Sequence, residues 1–111
     1  MIEFASSAPF TVGLEEELLL VDPETLQLTP VAAEVLAALG AGPSVGHEAY
    51  AAELELRSAP SDRVAGSVDE LRSLRARVAA AGATLLGAGV HPSGRYGDAP
   101  LVELDRYRRV D

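Results

Sequence analysis

Two stretches of this sequence alternate carboxylates with leucines, and they restrict the fold more than any other feature does. Residues 10–21 read FTVGLEEELLLV and residues 50–58 read YAAELELRS. Successive side chains of a strand point to opposite faces, so residues i and i+2 share a face. Read as strands, the first stretch projects Glu15 and Glu17 to one side and Leu14, Leu18 and Leu20 to the other. In the second, Glu53 and Glu55 project together and Leu54 and Leu56 face away. Each strand therefore has an apolar side and a carboxylate side. Glu16 falls on the apolar side of its strand and is expected to snorkel to water or to find a partner.

The remaining signals place other elements around these strands. Asp22-Pro23-Glu24-Thr25 is a turn in which Pro pre-sets φ, and residues 26–28 are expected to return as a short strand, closing a hairpin. Thr29-Pro30 predicts a helix start, with a hydroxyl N-cap followed by Pro at the first helical position. That helix runs through Val31, Val35, Leu36 and Leu39 to a terminating Gly40, and residues 40–46 read as a glycine-rich loop. Ser67-Val68-Asp69-Glu70 predicts a capping box opening a second helix. Val68, Leu71, Leu74 and Val78 share one of its faces, Arg72, Arg75 and Arg77 lie elsewhere, and Gly82 ends it. Residues 83–90 read as a buried strand before an irregular loop through His91-Pro92 and Gly97, and residues 100–109 as the start of a helix. The order β-β-α-β-α-β-α predicts an α+β domain with a mostly antiparallel sheet and packed helices.

Composition limits the partners. A chain of 111 residues is the size of one small domain, and 48% hydrophobic residues suffice for a core. Seventeen acidic against nine basic side chains give a net charge of −8, with no basic stripe to meet nucleic acid or an anionic membrane. That balance suits a protein that recruits cations. Without cysteine, neither disulfides nor thiolate metal sites are available. The opening MIEFASSAPF lacks the basic and apolar regions of a signal peptide, and no run approaches the ~20 apolar residues that span a bilayer. A cytoplasmic protein is expected.

Like charges gathered on one face raise the energy unless a cation lies between them. Oxygen ligands favour Mg²⁺, Mn²⁺ or Ca²⁺, and Mg²⁺ commonly takes one or two carboxylates, completing its shell with water and substrate phosphates. The same alternation also describes the solvated face of an ordinary sheet. Pattern alone leaves both readings open.

Four motifs carry a resemblance. Thr11-Val12-Gly13-Leu14-Glu15-Glu16-Glu17 with the Val-Asp-Pro turn after it resembles the opening strand of type 2 glutamate–cysteine ligases, also called carboxylate–amine ligases. Glu53-Leu54-Glu55-Leu56-Arg57-Ser58-Ala59-Pro60 resembles their next signature, Gly89-Val90-His91-Pro92 their Gly-Thr-His-Pro loop, and Arg106-Tyr107 a following Arg-Tyr pair. The resemblance covers the chain from Phe10 onward, with residues 1–9 as an extension. It implies a glutamine-synthetase-like fold, in which an antiparallel sheet forms a funnel around metal ions and ATP. It also implies phosphorylation of a carboxylate and attack by an amine on the acyl phosphate.

Carried over by position, Glu15, Glu17, Glu48 and Glu55 match metal-ligand or acidic positions, with Mg²⁺ or Mn²⁺ as the ion. Glu53 falls where relatives often have a neutral residue and is set aside, Glu16 lies outside the motif, and Ala51 stands where some relatives have glutamate. Arg57, His91 and Arg106 are candidate substrate contacts, the arginines through forked donors to carboxylate or phosphate. Structural roles compete for two of these: His91 as a loop histidine before Pro, and Arg106 as an arginine on a solvated helix face. No phosphate-binding glycine loop is present. Family members are longer, so the chain is expected to be an N-terminal portion that supplies part of the site and needs the rest of the domain or a partner chain. The alternative is a non-catalytic interaction module that docks a partner, or a further copy of itself, through a sheet edge and apolar faces.

Overall fold

The computed structural model describes residues 8–40, 42–95 and 97–105. It contains strands β1 (Glu15–Val21), β2 (Val45–His47), β3 (Glu53–Arg57) and β4 (Thr84–Leu86), and helices α1 (Ala32–Leu39) and α2 (Val64–Ala80). The strands form one open sheet in the order β2-β3-β1-β4, with every neighbouring pair antiparallel. The architecture is α+β, and its element order is β-α-β-β-α-β.

The apolar sides of the two acidic strands are the core. Leu18 and Leu20 of β1 pack with Leu54 and Leu56 of β3, and Ala32, Val35, Leu74 and Val78 bring both helices onto that face. Leu20, Leu54 and Leu56 are completely buried. Each such leucine contributes about 1.5–3 kcal/mol relative to exposure, so this face holds the sheet together and the opposite face is left for carboxylates. Among the described residues no helix is long and apolar enough to cross a membrane.

Several local expectations are corrected. The return strand reduces to a single bridge between Val21 and Leu28. Before it, the Asp22 carboxylate accepts the N–H groups of Glu24 (2.9 Å) and Thr25 (2.8 Å). These bonds, Thr25 foremost, hold its carboxyl below the ordinary range. Thr29 does not cap α1: its N–H donates to Leu20 O (2.9 Å), which keeps it alongside β1, and the helix begins at Ala32. Gly40 does end α1, at φ 80°, with its N–H on Leu36 O. Gly82 likewise follows α2 at φ 94°.

The capping box is absent. Helix α2 begins a turn earlier, and Ser67 lies inside it, fully buried, donating to Val12 O at 3.2 Å. Glu70 instead accepts the Ala59 N–H at 2.8 Å. The buried stripe runs through Ser67, Leu74 and Val78, with Leu71 half-buried beside it, leaving Val68 39% exposed. The glycine-rich loop conceals the edge strand β2, and the strand expected over residues 83–90 is confined to β4. Leu101 bridges Tyr50, and the Val102 N–H bonds Ala49 O, so residues 100–105 are not helical. Residues 106–109 of that expected helix lie outside the described residues.

Candidate functional site

The register between β1 and β3 decides which charges meet. Ser58 N–H donates to Leu14 O (2.9 Å) and Leu20 N–H to Ala52 O (2.7 Å), so even-numbered β1 residues exchange bonds with β3. The odd-numbered pairs Glu15↔Arg57, Glu17↔Glu55 and Leu19↔Glu53 are then the narrow kind, with Cα atoms about 4.5 Å apart. All project to the face opposite the core. Glu17 and Glu55 are thus placed side by side.

Arg57 offsets part of this crowding. Its Nη1 donates to Glu55 Oε2 at 2.8 Å and its Nε to Pro43 O at 3.0 Å. The guanidinium lies over Gly46 of β2, where a Cβ would collide with it. Glycine there leaves room for the guanidinium, the far end of a flexible side chain, rather than serving a special backbone conformation. The cation expected to contact substrate is therefore engaged with a neighbouring carboxylate and a backbone oxygen.

Glu53 belongs to the same cluster. Burial, followed by the charges of Glu48 and Glu17, pushes its carboxyl above the ordinary glutamate value. Glu48 turns one oxygen to the Ala49 N–H at 3.0 Å. The family pattern set Glu53 aside, whereas the fold places it among the charges.

Glu15, Glu17 and Glu53 line a cleft of about 440 Å³, together with Glu16, Arg75 and the glycine-rich turn at Gly87 and Gly89. Strand β4 pairs only with residues 19–21, so the cleft opens where residues 15–18 have no strand beside them on that edge among the described residues. Arg75 of α2 donates Nε to Glu16 Oε2 at 2.8 Å and Nη2 to the other oxygen. These bonds raise the guanidinium's hold on its proton. The sequence left Glu16 either to snorkel to water or to find a partner, and the structure shows the pair. The sequence did not single out Arg75, because the rotation of α2 against the sheet is set by packing.

A second cleft of about 340 Å³ shares Leu19, Glu53 and Gly89 with the first and is mostly apolar. His91 lies on its wall. Its Nε2 contacts Leu26 O at 2.7 Å, and its Nδ1 accepts the N–H groups of Ser93 (3.2 Å) and Gly94 (2.8 Å). The two donors on Nδ1 assign the proton to Nε2, and both nitrogens are used on the backbone. Arg106 lies outside the described residues. Among those described, no group of three or more His, Asp or Glu is arranged to hold a metal ion.

Comparison with known proteins identifies the family. The pattern of glutamate-cysteine ligase family 2 matches residues 11–111. A Rubrobacter xylanophilus protein named "Putative glutamate--cysteine ligase 2-3" is 42% identical over 97% of this chain and 32% of its own length. A second from that organism, "Putative glutamate--cysteine ligase 2-1", is 38% identical over 98% of the chain and 31% of its own. The Corynebacterium jeikeium protein "Putative glutamate--cysteine ligase 2" is 35% identical over 98% and 29%. The chain therefore spans about a third of the length of these relatives. No solved structure matches it. With the family pattern running from the first bridge residues to the last residue, the chain belongs to glutamate-cysteine ligase family 2.

Proposed function

We propose that this chain forms one wall of an ATP-dependent carboxylate–amine ligase site. Residues 10–111 would be the first part of a glutamine-synthetase-like catalytic domain, with residues 1–9 as an extension. The observation that carries the reading is the β1–β3 register, which sets Glu17 directly across from Glu55 on the open face, with Glu15 two residues along.

The donors suit Mg²⁺ or Mn²⁺. They are all carboxylate oxygens, and Glu53 is pushed upward by burial first and then by the charges of Glu48 and Glu17, the like-charge part of which a divalent cation would relieve. Mg²⁺ needs only one or two carboxylates beside water and phosphate oxygens, so Glu15 and Glu17 suffice without a three-ligand cage. When bound with ATP, the ion would neutralise charge on the transferring phosphoryl group and align it with the acceptor. Glu15 and Glu17 would hold the ion, and Arg57 would fix the orientation of Glu55 beside them. Glu48 would add negative potential behind Glu53. Arg106 remains the candidate for a substrate carboxylate, and His91 would shape the loop beside the second cleft. The acid is phosphorylated by ATP, and the amine then displaces phosphate from the acyl phosphate to give the amide.

Titration with Mn²⁺, followed by paramagnetic broadening of amide resonances, tests this reading. Wild type should bind weakly, and the Glu15→Gln/Glu17→Gln variant should bind more weakly still. Identical curves would remove the metal site. ATP-dependent amide formation is expected to require the rest of the ligase domain, and turnover by the 111-residue chain alone would contradict the one-wall reading.

A further inference from the structure

The acidic cleft and the apolar cleft abut along Leu19, Glu53 and Gly89, yet their linings differ in kind. The first has carboxylates and Arg75; the second has Leu28, Tyr50, Ala52, Val90 and Ala99. We propose that the second cleft binds an amine whose side chain is apolar or aromatic, with its amino group at Glu53 and its body along Val90. Calling this ligand the nucleophilic substrate rests on the ligase reading above; the binding itself does not.

Three features support the assignment. Val90 is 80% exposed although it lines this cleft, so an apolar ligand would cover a branched side chain now left in water. The polar groups converge suitably: the Glu53 carboxylate on the shared wall complements an ammonium. Arg95, which has no ion pair among the described residues, complements a carboxylate if the amine is an amino acid. The imidazole on the wall offers little to a polar side chain, because both His91 nitrogens are engaged with backbone groups. A cleft of about 340 Å³ is in the range of small-molecule sites, and a hydroxymethyl or similar small polar side chain would leave most of the apolar wall uncovered. The amino group of a ligand so placed faces the acidic cleft across Glu53.

The test is a titration of the ¹⁵N-labelled chain with phenethylamine, ethanolamine and L-phenylalanine. Phenethylamine should bind about tenfold more tightly than ethanolamine, as expected from burial of several apolar groups, and should shift the amides of Gly89, Val90 and Gly94. L-Phenylalanine should bind more tightly than phenethylamine, and Arg95→Met should abolish that difference. Val90→Ser, at a position too exposed to disturb folding, should weaken phenethylamine and leave ethanolamine unchanged. Equal affinities, or shifts mapping elsewhere, would overturn the proposal. The Mn²⁺ response in the same samples separates the two readings. Mn²⁺ binding with no preference for the aromatic amine overturns this inference alone. Aromatic-amine binding without any Mn²⁺ response supports the cleft and removes its assignment to a ligase.

Discussion

Arg75 of α2 grips the carboxylate of Glu16 on β1 with two guanidinium nitrogens, Nε to Oε2 at 2.8 Å and Nη2 to the second oxygen. Glu16 faces the helix side of the sheet, the side on which Leu18 and Leu20 are buried. The pair lets a charge occupy the end of an apolar strand face, and it ties α2 to the rim of the acidic cleft.

Because the Arg75 side chain is 52% exposed, water screens this pair. Arg75→Met should therefore cost only about 0.5–1 kcal/mol, measured by urea denaturation. Glu16→Leu, which extends the apolar face, should be close to neutral. A much larger loss in either variant would show that the pair is more deeply desolvated than the geometry indicates.

Glu53 makes stability fall as pH rises. Its carboxyl is held above the ordinary glutamate value by burial and by Glu48 and Glu17. Between that ordinary value and the raised one, the folded chain binds more protons than the unfolded chain. The destabilising contribution is absent below the ordinary value and fully present above the raised one. Glu53→Gln should therefore be more stable than wild type at pH 7, with the advantage shrinking as the pH is lowered through this window. Thermal melts across mildly acidic pH check the sign, and an advantage that grows on acidification would contradict it.

Ser67 discriminates between a cap and a core tether. Its hydroxyl donates to Val12 O, which also accepts the Ser61 N–H at 2.9 Å, so Ser67→Ala strands no buried acceptor and should cost about 1 kcal/mol. At a helix N-cap, Asp would substitute well for Ser. At this buried position, Ser67→Asp should be clearly worse than Ser67→Ala, because it places a carboxylate in the core. Equal stability of the two variants would restore the capping role.

His91 clamps the loop that bounds the second cleft. His91→Ala should speed hydrogen exchange at the Ser93 and Gly94 amides, equivalent to about 1–2 kcal/mol of local protection, while Mn²⁺ affinity stays unchanged. A fall in Mn²⁺ affinity would give the imidazole a direct role at the acidic cleft.

Strand faces, the core leucines and both glycine helix stops were legible because each depends on local periodicity or on one residue's φ preference. Glu15 with Glu17, and Leu54 with Leu56, are assigned to their faces by a period of two that no distant contact can alter. The sequence also marked Glu16 as out of place on the apolar face, with water or a partner as its two outlets. Tertiary structure decided what alternation alone leaves open: that Glu17 meets Glu55, that Glu53 stands near Glu48, and that Arg57 lies over Gly46. It turned Ser67 from cap to tether, because rotating α2 by one residue buries the hydroxyl and exposes Val68. It also made a strand of Val45–His47, whose extended form depends on pairing with β3 rather than on any pattern of its own. Register and helix rotation are fixed by long-range packing of the leucine face, so the neighbours of each charge follow from how that core closes.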